Sequence, residues 1–349
     1  MDEFRRSGGL VLGYLCQGFP ASVAAGLGMW PVRVLQGATT GMEDRGGALV
    51  RPDVCPLVRS FAGCVSAGSG IHGLVDVWAG LSTCDQTRRC FSELPCLTGA
   101  EVVQLHLPAT RSVAGEDYFA ASVEGFCLES AARFGCGYEP DRALDHASER
   151  HRAGMFLESL TLEGSVDPLD LHWMYHLYHM ARAPGLHGLL EGMLTPADPS
   201  RRRPVSVGLA GSPLPLEDTT VLEVLSGAGA GVVPLHCAAL QSTGTAGDRS
   251  APADGSPGGL ARAAFRSVRC ARSRPNDGVF EWISGMMERT GCRGLVVKTM
   301  RFCDLWFTER VRFRERMDVP VLVMDTAFSQ GERERQTARL EAFLEMVLP

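Results

Sequence analysis

Twelve cysteines in 349 residues are the side chains from which this sequence can build reactive chemistry. Three occupy the same kind of place. The apolar run Leu74-Val75-Asp76-Val77-Trp78-Ala79 leads into Ser82-Thr83-Cys84-Asp85, and Gly294-Leu295-Val296-Val297-Lys298 leads into Arg301-Phe302-Cys303-Asp304, each before a helical pattern. Cys55 precedes Pro56, and proline favours the first helical position, which puts Cys55 at an N-cap. Open parallel sheets bind ligands outside the carboxyl ends of their strands, and a helix start there stabilises a thiolate. Three such thiolates can converge. The alternative for any one cysteine is burial as a small apolar side chain. No Cys-x-x-Cys occurs, which removes the zinc-ribbon, ferredoxin and thioredoxin patterns and requires any shared site to be assembled from distant segments.

Positioning such thiols takes strands followed by helices, and the chain alternates short Val- and Leu-rich runs with longer helical patterns, the mark of parallel α/β architecture. Strands are expected at 10–15, 31–35, 74–79 and 102–107, and again at 205–209, 231–235, 294–298 and 320–324. Helices begin near Ala21, Cys55 and Cys84 in the first set, and cover 219–225, 278–290, 306–316 and 333–347 in the second. From about 115 to 194 the strand signal gives way to long helices broken at Gly135-Cys136-Gly137 and Val166-Asp167-Pro168. The expected fold class is α/β, with two parallel-sheet, flavodoxin- or Rossmann-like domains flanking a helical insert. The expected boundaries are 1–114 with Cys55 and Cys84, 115–200 for the insert, and 201–349 with Cys303. Residues 241–259 are too poor in large apolar side chains for a core and are expected as a surface loop.

Composition narrows the function classes. Hydrophobic residues at 45% and charged residues at 21% are those of an ordinary globular protein, which sets disorder aside. Forty acidic against 34 basic residues give a net charge of −6, so no global positive field draws the chain to nucleic acid or anionic lipid. No apolar window reaches the roughly 20 residues of a membrane span. Arg5-Arg6 before an apolar stretch imitates a signal peptide, but Gln17, Gly18 and Pro20 interrupt it, and the segment reads better as strand, turn and helix. Unpaired thiols suit a reducing compartment, and the expected location is cytoplasmic.

Other constellations carry less. His172, His176 and His179 share one side of a helix, but interleaved Trp173, Tyr175 and Tyr178 favour packing over a metal site. Gly227-Ala228-Gly229-Ala230-Gly231 follows a helix and precedes a strand, the reverse of a dinucleotide fingerprint, and reads as helix termination. Arg201-Arg202-Arg203-Pro204 reads as a solvated linker, with steering of a CoA phosphate as the alternative. Cys64, Cys90 and Cys96 read as packing, with membership of a larger cluster as the alternative. Arg88 or Arg89 either faces a ligand at Cys84 or stays on the surface.

Several stretches together carry a resemblance. They are Gly13-Tyr14-Leu15-Cys16, Gly28-Met29-Trp30-Pro31-Val32-Arg33, Val54-Cys55-Pro56-Leu57-Val58-Arg59-Ser60, Thr83-Cys84-Asp85-Gln86-Thr87-Arg88-Arg89, Phe302-Cys303-Asp304-Leu305-Trp306 and the ending Gln336-Thr337-Ala338-Arg339-Leu340-Glu341-Ala342-Phe343-Leu344-Glu345. In this order the sequence resembles the 2-hydroxyacyl-CoA dehydratase family, which includes benzoyl-CoA reductase subunits and double-cubane-cluster proteins. The resemblance implies a [4Fe-4S] cluster held by Cys55, Cys84 and Cys303 between two α/β domains, with one iron free of protein thiolate. It further implies one-electron reduction of an acyl-CoA thioester to a ketyl radical, loss of the 2-hydroxyl and return of the electron. The electron comes from a separate ATP-dependent iron-sulfur activator, and no P-loop of this chain substitutes for it. A second dehydratase subunit or a homodimer is implied as well. The length is closer to the smaller, electron-relaying partner, and residues 241–259 fall where the relatives are ordered. Reduction of aryl-CoA or of small molecules at a double cubane with about six thiolates, a non-catalytic relay subunit, and a zinc protein are the alternatives. No general base and no CoA-binding residue is assigned from the sequence.

Overall fold

The computed structural model describes residues 1–194, 205–237, 239 and 254–348. Eight strands lie in two four-stranded sheets: β1 (Val11–Tyr14), β2 (Trp30–Arg33), β3 (Val77–Leu81) and β4 (Val102–Leu105) in the first, and β5 (Ser206–Gly211), β6 (Gly231–His236), β7 (Cys292–Met300) and β8 (Val321–Thr326) in the second. Every strand pair is parallel. The orders are β2-β1-β3-β4 and β6-β5-β7-β8, so one topology occurs twice. In each, the chain leaves the first strand to one side and later returns to the other, creating a switch point between β1 and β3 and another between β5 and β7.

Around the first sheet run α1 (Asp2–Arg6), α2 (Ala21–Gly26), α3 (Thr40–Gly47), α4 (Pro56–Ala67), α5 (Asp85–Thr98) and α6 (Val113–Phe134). Then come α7 (Pro140–Glu163), α8 (Pro168–Met180) and α9 (Leu186–Glu191), followed by α10 (Thr220–Gly227), α11 (Pro257–Ser267), α12 (Asp277–Thr290), α13 (Asp304–Phe307), α14 (Arg310–Arg316) and α15 (Gln330–Val347). All eight expected strands are present, and the central ones, β1, β3, β5 and β7, are largely apolar runs buried on both faces. Alternation along β7 shows how: Leu295 and Val297 join the core with Phe280 and Phe313, whereas Val296 packs with Leu340 and Phe343 of α15. Leu12 and Val103 similarly face Phe119 and Phe126 of α6, while Val11 and Trp78 face Phe61 and Phe91 of α4 and α5.

Three segments depart from expectation. The surface loop expected through residue 259 ends early, since α11 starts at Pro257, is capped by Ser256 through the Gly259 N–H at 3.0 Å, and buries Leu260, Ala261 and Phe265 with α6. Residues 241–253, like Arg201, Arg202, Arg203 and Pro204, lie outside the described residues. The expected helix 306–316 is broken into α13 and α14 around buried Glu309, which accepts hydrogen bonds from Asn276 at 2.7 Å and Arg312 at 2.9 Å. The third is α3, whose polar, glycine-containing sequence hides it. Gly46 is there for contact: a Cβ would sit 1.8 Å from the Arg59 carbonyl oxygen of α4.

The two halves are tied near the strands' carboxyl ends. Leu216 N–H donates to Leu35 O at 2.9 Å, Thr40 Oγ1 to Phe328 O at 2.6 Å, and Gly37 N–H to a Glu217 carboxylate oxygen at 2.9 Å. Met300 and Cys303 pack into the same apolar cluster as Cys55 and Val58. Among the described residues no helix is long and apolar enough to cross a membrane.

Candidate thiol centre at the strand carboxyl ends

Each of the three expected cysteines caps a helix: Cys55 precedes α4, Cys84 precedes α5 and Cys303 precedes α13. The caps follow from chain chemistry. Pro56 presets the first turn of α4. The Cys84 sulfur accepts the Thr87 N–H at 3.3 Å and stands 3.0 Å from the Thr87 hydroxyl. Leu57 and Val58 donate their N–H groups to Cys55, and the Trp306 N–H and Ser212 hydroxyl donate to Cys303. The structure brings the three thiols together. Burial pushes Cys55 and Cys303 up, and mutual repulsion adds to it: Cys55 feels the charge of Cys303 and Cys84, and Cys303 feels Cys84. The helix-start expectation of lowered pKa values is overturned for Cys55 and Cys303. Their N–H donors do favour the thiolate, but desolvation outweighs them.

Gln86, given no role by the sequence reading, clamps the three loops. Two residues after Cys84, it accepts the Cys55 N–H at 2.5 Å and donates to the Phe302 carbonyl at 2.8 Å, just before Cys303. Phe302 has φ 62, a left-handed conformation that costs a non-glycine residue about 1–3 kcal/mol and persists where surrounding bonds enforce it. Gln86→Ala leaves the Cys55 N–H without its partner and frees Phe302 to relax. The expected cost is about 1–3 kcal/mol of stability in urea unfolding. Gln86→Glu keeps an acceptor for Cys55 but loses the donor to Phe302, so comparing the two separates the bonds.

The second switch point supplies the other wall. Gly211, with φ 118, ends β5 so close to β7 that a Cβ would lie 2.0 Å from Lys298 O, and only glycine fits. Ser212 follows it, donates N–H to Lys298 O at 2.9 Å, accepts the Met300 N–H at 3.2 Å, and donates its hydroxyl to Cys303. Lys298 itself is 3% exposed and ion-paired with buried Asp218.

A second group of thiols adjoins the first. Cys16 follows β1, Cys237 follows β6 and Cys270 lies between α11 and α12. Burial raises all three, with Cys237 pushed to about 11, and repulsion contributes: Cys270 feels Cys237 and Cys16, and Cys237 feels Cys16 and Cys303. Arg33, 1% exposed, spans the group by donating to Leu15 O at 2.9 Å, Cys237 O at 3.1 Å and the Cys237 sulfur at 3.5 Å. Arg272 donates to the carbonyls of Thr83 at 2.8 Å and Pro108 at 3.2 Å. Among the described residues no carboxylate pairs with either guanidinium. Two cations without a carboxylate partner beside six thiols suit a site that becomes anionic. The signal for Cys16 and Cys237 was in the sequence: both follow strand ends, as Cys84 and Cys303 do.

The remaining candidates fall outside. His172 and His176 are buried, with ring nitrogens 3.2 Å from the carbonyls of Leu216 and Leu214, and burial holds His172 below and His176 well below the usual range. His179 is buried as well. Gly227 ends α10, and Gly231 begins β6. Cys64 and Cys90 are buried in packing, Cys96 is exposed, Arg88 pairs with Asp85 at 2.6 Å, and Arg89 is exposed.

Among the described residues, no three His, Cys, Asp or Glu side chains stand as ligands to one ion. Thiolates of an iron-sulfur cluster attach to separate irons, so they stand farther apart than the ligands of one ion, and the donor set here is sulfur alone. Two repeated parallel-sheet units, with Cys84 after β3, Cys303 after β7 and Cys55 at the start of α4 close enough to act on one another, therefore define an α/β protein with a group of thiols near the strands' carboxyl ends. The chain belongs to the 2-hydroxyglutaryl-CoA dehydratase D-component family, whose sequence pattern matches residues 16–347. No curated protein matches it.

Proposed function

We propose that this chain is a component of a 2-hydroxyacyl-CoA dehydratase in which Cys55, Cys84 and Cys303 hold a [4Fe-4S] cluster with one iron free of protein thiolate. The observation that carries the reading is the convergence of three capping thiols from three distant segments, in a chain of the dehydratase family. Such a cluster supplies a one-electron donor and a Lewis acid at one atom, which radical elimination of water from a 2-hydroxyacyl-CoA requires. The chain's own residues do the holding. The raised thiols of Cys55 and Cys303 stay protonated until a cation displaces the proton, and the N–H donors of Leu57, Val58 and Trp306, like that of Thr87 at Cys84, carry part of the charge of a bound thiolate. Gln86 sets the spacing of the three loops. The partners on this reading are an ATP-dependent iron-sulfur activator, which delivers the starting electron, and a second dehydratase subunit or a further copy of the chain, all in the reducing cytoplasm.

A second reading is favoured by one specific observation, the adjoining thiols of Cys16, Cys237 and Cys270 beside Arg33 and Arg272. Six thiolates would hold a larger, double-cubane unit, and the activity would be reduction of an aryl-CoA or a small molecule. The deciding experiment is anaerobic purification with counting of iron and sulfide, followed by assay with activator, alone and with a candidate second subunit. About four irons per chain and loss of the 2-hydroxyl support the first reading. Twice that iron with reduction and no elimination supports the second, and elimination only with the second subunit assigns this chain a relay role.

A further inference from the structure

The helix α6 is apolar on two sides. Its inner side buries Phe119, Val123 and Phe126 against the first sheet and α11. On its outer side Ala114, Tyr118, Ala121, Gly125, Leu128 and Ala132 are all exposed, Leu128 at 74% and Tyr118 at 57%. These six follow one another at steps of four, three, four, three and four residues, which on a helix of 3.6 residues per turn makes one stripe about 80° wide. No charged residue falls in it. A helix side that faces only water is normally polar. The other long helices obey this, with Arg142, Asp145 and Arg152 outward on α7 and Glu334, Glu341 and Glu345 outward on α15. An uncharged stripe at these steps is the spacing of a seam between two helices.

The order of residues along the stripe says what covers it. Ala121 and Gly125, Tyr118 and Leu128, and Ala114 and Ala132 form three pairs, each centred on position 123. An identical helix laid antiparallel about a two-fold axis at that level therefore sets like-sized side chains opposite one another, with the smallest pair at the crossing. A two-fold interface uses one patch on both copies and needs this self-complementarity. Gly125 suits the crossing. A Cβ there would meet nothing within 4 Å among the described residues, and its φ is not positive, so its own chain gives no reason for a residue that weakens a helix interior. Close approach of a second backbone does. Charge allows the contact as well. The chain carries −6 in all, which repels a copy in general. The rims of the stripe hold both signs, however: Arg262 pairs with Asp117 at 2.9 Å and adjoins Glu124 on one side, and Arg133 pairs with Glu129 at 2.6 Å on the other. A strip about 33 Å long and roughly 15 Å wide with its rims buries on the order of 1,000 Å² over both copies, the lower limit for a specific interface and the size of a reversible one.

We infer that the outer face of α6 is a self-association surface, on which a second copy of this chain docks antiparallel about position 123 to form a reversible two-fold dimer. The inference stands whether or not the chain acts on acyl-CoA. Sedimentation equilibrium of the full-length chain over the micromolar range tests it. Wild type is expected to pass from the 37.6 kDa monomer to twice that mass as concentration rises. Gly125→Glu, Tyr118→Glu and Leu128→Lys each weaken association tenfold or more. Tyr118→Glu combined with Leu128→Lys in one chain recovers it, because the antiparallel register sets 118 of one copy against 128 of the other. The three positions are exposed, so far-UV circular dichroism and urea midpoints of the variants stay those of wild type. A wild type that is monomeric at the highest loading overturns the dimer, and association that none of the three substitutions weakens overturns the surface. A combined variant no tighter than the single ones overturns the antiparallel register. Association only with a candidate second subunit, lost in Gly125→Glu, gives the face to a different partner and overturns the inference too.

Discussion

Cys303→Ala is expected to abolish the low-temperature electron paramagnetic resonance signal of the anaerobically reduced protein and to lower activator-dependent elimination roughly 10³-fold or more, the loss of several kcal/mol of Lewis-acid and electron-donor chemistry. The size follows from position. Cys303 is the contribution of the second sheet to the first thiol group, it caps α13, and the Trp306 N–H and Ser212 hydroxyl serve it. On the three-thiol reading alanine removes a ligand while leaving the fold's packing almost intact, because the thiol is small and half-buried. Cys96→Ala, on the exposed side of α5, is the control and is expected to change nothing. Cys270→Ala then separates the two readings: with three ligands the iron content stays, and with six it falls by about half. An unchanged signal and iron content in Cys303→Ala would remove this residue from the ligand set and take the three-thiol reading with it.

The parallel sheets were legible because parallel strands buried on both faces are written as continuous apolar runs, and β1, β5 and β7 are of that kind. Cys55 at its cap was equally legible, since Pro56 marks the helix start without reference to anything distant. What escaped were features created by contact between segments far apart in sequence. Apart from its Thr39 cap little local marks α3 as a helix, because Gly46 serves the approach of Arg59 and weakens the helix by itself. Gln86 looks like any polar residue in a first helical turn until Cys55 and Phe302 are brought to it. The raised thiols of Cys55 and Cys303 show the same limit from the side of energetics: a helix start is a local property that lowers a thiol's pKa, whereas burial is a property of the whole fold and here is the larger effect. Cys270 has no strand before it, so the rule that finds Cys16 and Cys237 does not reach it.

The second large effect concerns the wall behind Cys303. Asp218→Leu is expected to destabilise the protein by about 3–5 kcal/mol, because it strands the Lys298 ammonium in the interior. Lys298 is 3% exposed near the carboxyl end of β7, and Asp218 is its ion-pair partner. The contrast is Arg51–Asp53, an exposed pair whose loss is expected to cost about 0–1 kcal/mol. Lys298→Met alone leaves a buried carboxylate and is expected to cost a similar amount, whereas Lys298→Met with Asp218→Leu removes both charges and restores most of the stability. Urea unfolding of the four proteins closes the cycle. The effect should also reach the thiols: Ser212 is held by the Lys298 carbonyl and donates to Cys303, so the single variants should lose iron to a chelator faster than the double variant, even where all remain folded. Single and double variants that are equally destabilised, by less than about 1 kcal/mol, would mean that water reaches the pair and that β7 holds Cys303 without it.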